Sequence, residues 1–202
     1  MEKSIVVADW EARAFVEGRK TQIRRLVKPQ PYLDCVGIVT HGKEWLQRIP
    51  DGDGKVFHLA NVTERLKCPF GQPGDRLWVK ERWWPLYQEE GQQGVLYEAD
   101  RALIMPKFWN EGYLKEAANK GKDGFRPAQQ MNAWASRITL VVGKVWVHRV
   151  QNVSAFECAA EGHDAIYVDE AYCAEWLRKH PRSWERNDWV WAAEVSVEVR
   201  NG

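Results

Sequence analysis

Gly18-Arg-Lys-Thr-Gln-Ile-Arg-Arg25 is the stretch on which the fold of this 202-residue chain turns: four of its eight residues, Arg19, Lys20, Arg24 and Arg25, are cationic. The residues before it predict a helix over 9–17, with Asp9 as a capping candidate and Trp10, Ala14 and Phe15 recurring at helical spacing. Gly18 then stands where a helix is stopped by a residue that tolerates a left-handed backbone. An extended chain beyond that glycine turns Lys20, Gln22 and Arg24 to one side and Thr21, Ile23 and Arg25 to the other. A helix end that delivers a lysine and an arginine pair onto one short segment is a candidate anion-facing rim. A solvated basic turn is the alternative.

Gly18, Lys20 and Arg25 stand at offsets zero, two and seven of the pattern Gly-x-Lys-x-x-Thr-x-Arg, the signature of ASCH domains. The chain resembles that family further along, at Gly74-Asp75, at Trp134-Ala-Ser-Arg137, over Ser154 to Gly162 and at Trp189-Val-Trp191. It is similar to the longer ASCH proteins of phages and prophages. The resemblance implies an α+β fold, a PUA-like mixed β-barrel with flanking helices and inserted loops and a hairpin. It implies one domain over 1–202, with insertions at about 30–66 and 101–130, and a role in RNA or modified-nucleoside chemistry. It departs in two places: the signature threonine is Ile23, and Asn132-Ala133 stands where the longer proteins have Pro-Arg.

Composition narrows the classes. The chain is 45% hydrophobic and 28% charged, ordinary for a soluble globular protein, and its net charge of +1 excludes a polycationic coat, so nucleic-acid contact must come from a local patch. Twelve tryptophans are many, enough for both core and stacking surfaces. The four cysteines, at 35, 68, 158 and 173, form no Cys-x-x-Cys pair and no ligand ladder with the scattered histidines, so neither a structural zinc nor a disulfide framework is expected. No metal or cofactor is expected at all. Asp51-Gly-Asp-Gly54 is a turn and not a calcium loop, because position 62 is Val where the closing glutamate would stand. The polar N-terminus and the lack of an 18-residue apolar run point to a cytoplasmic protein without a membrane span, in the host cytoplasm if phage-encoded.

In chain order, the pattern predicts a hairpin over Cys35–Gln47, a strand at Val56–Ala60, one strand over Arg76–Trp84 and another at Val95–Ala99. A short helical piece is expected around Tyr113–Asn119. Ile138–Val142 and Lys144–Val150 read as paired or bent strands about Gly143, and Ser154 and Glu157 as a capping box for a helix stopped by Gly162. A further helix over about Glu170–His180 precedes Pro181, and Asp188–Arg200 alternates as a strand expected to close the barrel.

The candidate catalytic residues are Lys20 and Glu161, each beside a helix-stopping glycine. The resemblance implies a pocket in which a lysine, a threonine and a glutamate, at positions 20, 23 and 161 here, attack an amide and protonate its leaving amine. Ile23 supplies no hydroxyl. Candidate nucleic-acid contacts are Arg24, Arg25, Lys80, Ser136 and Arg137, with Trp83 and Trp134 as stacking rings. Three function classes stay open: a binder of RNA, single-stranded nucleic acid or a modified nucleoside; a hydrolase, either an acetylcytidine amidohydrolase or a ribonuclease; and a phage accessory protein with a protein partner.

Overall fold

Alternation at period two builds the sheets around which the chain folds. The computed structural model describes residues 3–31, 35, 37–41, 44–50, 57–58, 66–87, 93–104, 124–163 and 166–199. It is an α+β structure with parallel and antiparallel strands, and it divides into two compact units interleaved along the sequence. The first comprises Met1–Arg19, Arg76–Val141 and Val197–Gly202; the second comprises Lys20–Asp75 and Val142–Ser196.

In the first unit β1 (Lys3–Val6) runs parallel to β6 (Arg76–Lys80), which runs antiparallel to the start of β10 (Ile138–Arg149). Ile5, Leu77, Val79, Ile138 and Leu140 point inward and are buried. Ser4, Val6, Arg76, Trp78 and Thr139 take the alternate positions, and there Trp78 packs in part against the Trp83, Tyr97 and Met131 cluster. Helix α1 (Asp9–Val16) follows β1 and buries Ala12, Ala14 and Phe15. Its N-cap is Ala8, whose N–H donates to the Glu11 carboxylate at 2.9 Å, and not Asp9, which is already helical. The helix stops as expected at Gly18, where φ is +73°. A side chain in that left-handed region costs roughly 1–2 kcal/mol.

The run Arg76–Trp84 is two strands, not one. It breaks at Glu81-Arg82, and β7 (Trp83–Tyr87) starts a second antiparallel sheet with β8 (Gln93–Tyr97) and β9 (Leu103–Ile104). Periodicity could not show this break, because its cause lies far away in sequence. Glu81 is fully buried and takes a fork from Arg137, Nε to Oε1 at 3.0 Å and Nη2 to Oε2 at 2.9 Å. Arg137 Nη1 also reaches Asp100 at 2.9 Å, and the guanidinium lies 4.1 Å from the Tyr97 ring centroid. Burial pushes the Glu81 carboxyl above its usual range against the opposing pull of Arg137.

In the second unit β2 (Gln22–Leu26) pairs antiparallel with β11 (Trp189–Val199), Ile23 facing Ala193 across the ladder, in the order β10-β11-β2. Residues 138–149 form one continuous strand. A Cβ at Gly143 would come within 3.3 Å of Glu194, so the glycine lets β10 and β11 lie close without interrupting the strand. The expectation of a closed barrel fails. Among the described residues β1 and β2 each pair on one side only, and β11 is an interior strand of an open sheet. The hairpin forms as read, from β3 (Gly37–His41) and β4 (Glu44–Pro50), with β5 (Phe57–His58) pairing back on β4.

Helix α2 (Ala155–Ala160) carries the expected capping box: Glu157 accepts the Ser154 N–H at 2.9 Å while Ser154 Oγ accepts the Glu157 N–H at 3.3 Å. Helix α3 (Val168–Lys179) packs Tyr172 and Trp176 against Val150, Cys158 and Val190. The four cysteines are free thiols. The helix expected near residue 116 and the turn at 51–54 lie outside the described residues. No described helix is long and apolar enough to cross a membrane.

The Glu81–Arg137 pair generates a stability prediction. Arg137→Ala strands a buried carboxylate and is expected to destabilise by about 3–5 kcal/mol. Arg76→Ala, which opens the exposed pair with Glu198 at 2.6 Å, is expected to leave the unfolding midpoint almost unchanged, because solvent screens the pair. Urea unfolding of the two variants checks the contrast.

Candidate functional site

The second unit contains a buried ionic cluster built from β2 and the end of α2. Thr21 N–H donates to the Ala160 carbonyl at 2.8 Å, and Lys20 and Glu161 form an isolated antiparallel bridge, so the chain leaving the first helix stop is tied to the second. The second stop is Gly162, with φ of +89°. Lys20 Nζ then lies 2.5 Å from Glu161 Oε2 and 2.9 Å from the Glu161 carbonyl oxygen.

Strand alternation brings Gln22 and Arg24 to the same side. Arg24 Nη1 reaches Glu161 Oε1 at 2.7 Å, Nη2 reaches Glu157 Oε1 at 3.0 Å, and Gln22 Oε1 accepts from Nη2 at 3.2 Å. Both oxygens of Glu161 are therefore held by cations. The Lys20 and Arg24 side chains are each 1% exposed and that of Glu161 8%. Two cations face two carboxylates, a balance that such burial requires.

The border of the cluster is half-buried. Arg24 Nε–H approaches His148 Nε2 at 3.4 Å, so that nitrogen acts as an acceptor. Burial, and then the charge of Arg24, lower the His148 pKa; burial, and then Lys20, do the same for His163. Glu157 ends below the usual carboxylate range, because the Ser154 hydrogen bonds and Arg24 outweigh the effect of burial. Tyr172 lies beneath, its ring centroid 5.8 Å from the Arg24 guanidinium and 6.0 Å from His163. Burial pushes its phenol far up, the Glu161 charge adds to this, and its hydroxyl has no hydrogen-bond partner among the described residues.

The two catalytic candidates thus meet, and two other expectations are corrected in detail. Arg24, expected on a phosphate-tracking rim, points inward and is committed to Glu161 and Glu157. Ile23 is 1% exposed and occupies the opposite face of β2 from Arg24, so a threonine there would face Ala193's strand and the apolar interior, not Glu161. Arg25 is half-buried and donates to the Arg24 carbonyl at 2.8 Å.

The remaining candidates belong to the first unit. Trp83 is a core residue with Val95, Tyr97, Met131 and Ala135, while Trp134 is 39% exposed and meets Trp83 edge-on at 5.7 Å. Ser136 Oγ lies 2.8 Å from the Val79 carbonyl and 3.1 Å from that of Ile138. Arg137 is buried on Glu81 and Asp100, and Lys80 Nζ donates to the Gln129 carbonyl at 3.2 Å.

Sequence reasoning missed His148, Glu157 and Tyr172 as site residues. Glu157 was legible only as a cap, and nothing in the periodicity of β10 or α3 ties His148 or Tyr172 to Lys20. Among the described residues no group of three or more His, Cys, Asp or Glu is arranged to hold a metal ion. Comparison with family models, with curated proteins and with solved structures finds no match to this chain.

The two histidines give a pH prediction. The folded state resists protons that an unfolded histidine takes up near pH 6.5, so their contribution to stability is full above about 6.5 and is lost as pH falls below it. The urea midpoint is expected to hold from pH 8 to 7 and to fall towards pH 5.5. The double variant His148→Gln, His163→Gln should flatten that fall, leaving what His180, also lowered by burial, contributes.

Proposed function

We propose that this chain is an ASCH-like protein of PUA-like fold that binds a modified nucleobase, free or in RNA, through the Lys20–Arg24–Glu161 cluster. The observation that carries the proposal is the meeting of Lys20 and Glu161 at 2.5 Å across 141 residues of sequence, at the two positions that the ASCH resemblance singles out. Beside the paired Lys20, Arg24 and Glu161 stand groups that a base edge can use: the half-buried His148 and His163, and the Tyr172 hydroxyl, which has no hydrogen-bond partner among the described residues. A phage-derived, cytoplasmic role belongs to the same proposal.

Binding is favoured over hydrolysis for two reasons. An amidohydrolase or ribonuclease at this site needs a carboxylate oxygen free to take a proton, and both oxygens of Glu161 are engaged. It also needs a nucleophile or water-orienting hydroxyl, and position 23 neither has one nor faces the cluster. A protein-partner role has one observation in its favour, the exposure of Phe156, Ile166 and Tyr167.

Titration calorimetry with N4-acetylcytidine and cytidine tests the proposal. The parent is expected to bind, Lys20→Met and Glu161→Gln each to weaken binding about ten- to a hundredfold through loss of a charge-assisted hydrogen bond, and Ile23→Thr to change neither affinity nor turnover. Loss of binding in none of the variants, or rapid hydrolysis gained by Ile23→Thr, would contradict it.

A further inference from the structure

Strand β6 carries Arg76, Trp78 and Lys80 at alternate positions on one face, opposite the buried Leu77 and Val79. We propose that this face is a second binding site, a platform on which Trp78 stacks a base of single-stranded nucleic acid while Lys80 meets a phosphate. The proposal rests on the nucleic-acid part of the function proposed above but uses none of the cluster's residues.

Four observations carry it. First, Trp78 is partly exposed: it packs in part against the core of Trp83, Val95, Tyr97, Met131 and Ala135, and its ladder partners are the small residues Ser4 and Thr139. Second, Trp78 borders a cavity of about 400 Å³, whose other walls include Ser136, Thr139 and the Arg76–Glu198 fork. That volume lies within the range of small-ligand sites, and the fork sets donors and acceptors side by side, as a base edge requires.

Third, Lys80 Nζ lies 4.8 Å from the Trp78 ring centroid, and its hydrogen bond goes to a carbonyl and not to a carboxylate, so its charge is left for a phosphate. Residues two apart on a strand are roughly 6.5 Å apart, so Trp78 and Lys80 present ring and cation within the reach of one nucleotide, with the Arg76–Glu198 fork on the other side of the ring. Fourth, Ala133 lines the cavity, and the residue after it in the chain, Trp134, is 39% exposed. Stacking is indifferent to which base is present, and the base must be out of a duplex to reach the ring. The site therefore takes single strands with little sequence preference. Trp83, the ring suggested by sequence, is too deeply buried for this role.

Fluorescence anisotropy with 5′-labelled octauridylate and octathymidylate at low and moderate salt tests the platform, with photo-cross-linking of a 4-thiouridine octamer as a readout that needs no variant. Trp78→Ala is expected to weaken binding about tenfold or more, Trp78→Phe to retain most of it, and Lys80→Gln to lower the salt slope by about one. Cross-links should fall on peptides containing Trp78 or Trp134. Trp146→Phe is the control, since Trp146 also lies beside a lysine, Lys144, at 5.7 Å, but belongs to the other unit. Equal binding to both oligomers would mean that the 2′-hydroxyl is not read. Octamer binding that is insensitive to Trp78, or cross-links confined to other peptides, would overturn the platform while leaving the Lys20 cluster standing. No octamer binding at low salt would also overturn it, and the nucleoside titration then decides separately about the cluster.

Discussion

Glu161 receives one cation on each carboxylate oxygen, Lys20 on one and Arg24 on the other, and much of the second unit is arranged so that this can happen away from water. Charges buried to this degree persist only when each is paired and hydrogen-bonded. Two helices must stop at the right residues, which Gly18 and Gly162 accomplish. The chain between Lys20 and Arg24 must be extended so that alternation turns three polar side chains the same way. Ser154 must hold Glu157 at the start of α2, so that Arg24 finds a second carboxylate.

The first unit repeats the device with a different outcome. Glu81 and Asp100 together take three N–H groups of Arg137, whose guanidinium lies over the Tyr97 ring. That pair joins the break after β6 to the start of β10. The Glu161 cluster has histidines with lowered pKa at its border and an unpartnered phenol beneath it. Perturbed groups occur in both clusters, Glu81 and Asp100 in one and His148 and His163 in the other; the histidines and the phenol lead us to read the Glu161 cluster as the site.

Local chemistry was legible in the sequence, and long-range partnership was not. The stop at Gly18, the Ser154 capping box, the hairpin before Gln47 and the alternation of Lys20, Gln22 and Arg24 each follow from a few neighbouring residues, and each forms. The continuity of β10 through Gly143 was not legible, because it depends on Glu194 in another strand. The break at Glu81 was hidden for the same reason, its cause being Arg137. Arg24 was misplaced because alternation gives two faces without saying which is buried; a run of cations reads as surface until the carboxylates that neutralise it are located. Among the tryptophans, period two separated Trp78 from the core residues Leu77 and Val79, but only the position of the neighbouring sheet showed that Trp83 lies inside.

A double-mutant cycle on Lys20→Met and Glu161→Gln tests the central claim most directly, because it isolates the pair from the rest of the cluster. Each single change is expected to destabilise strongly, and the double variant by less than the sum, with a coupling of about 1–3 kcal/mol in urea unfolding. Additivity within about 0.5 kcal/mol, the behaviour of residues that do not touch, would show that Lys20 and Glu161 do not hold each other and would contradict the account.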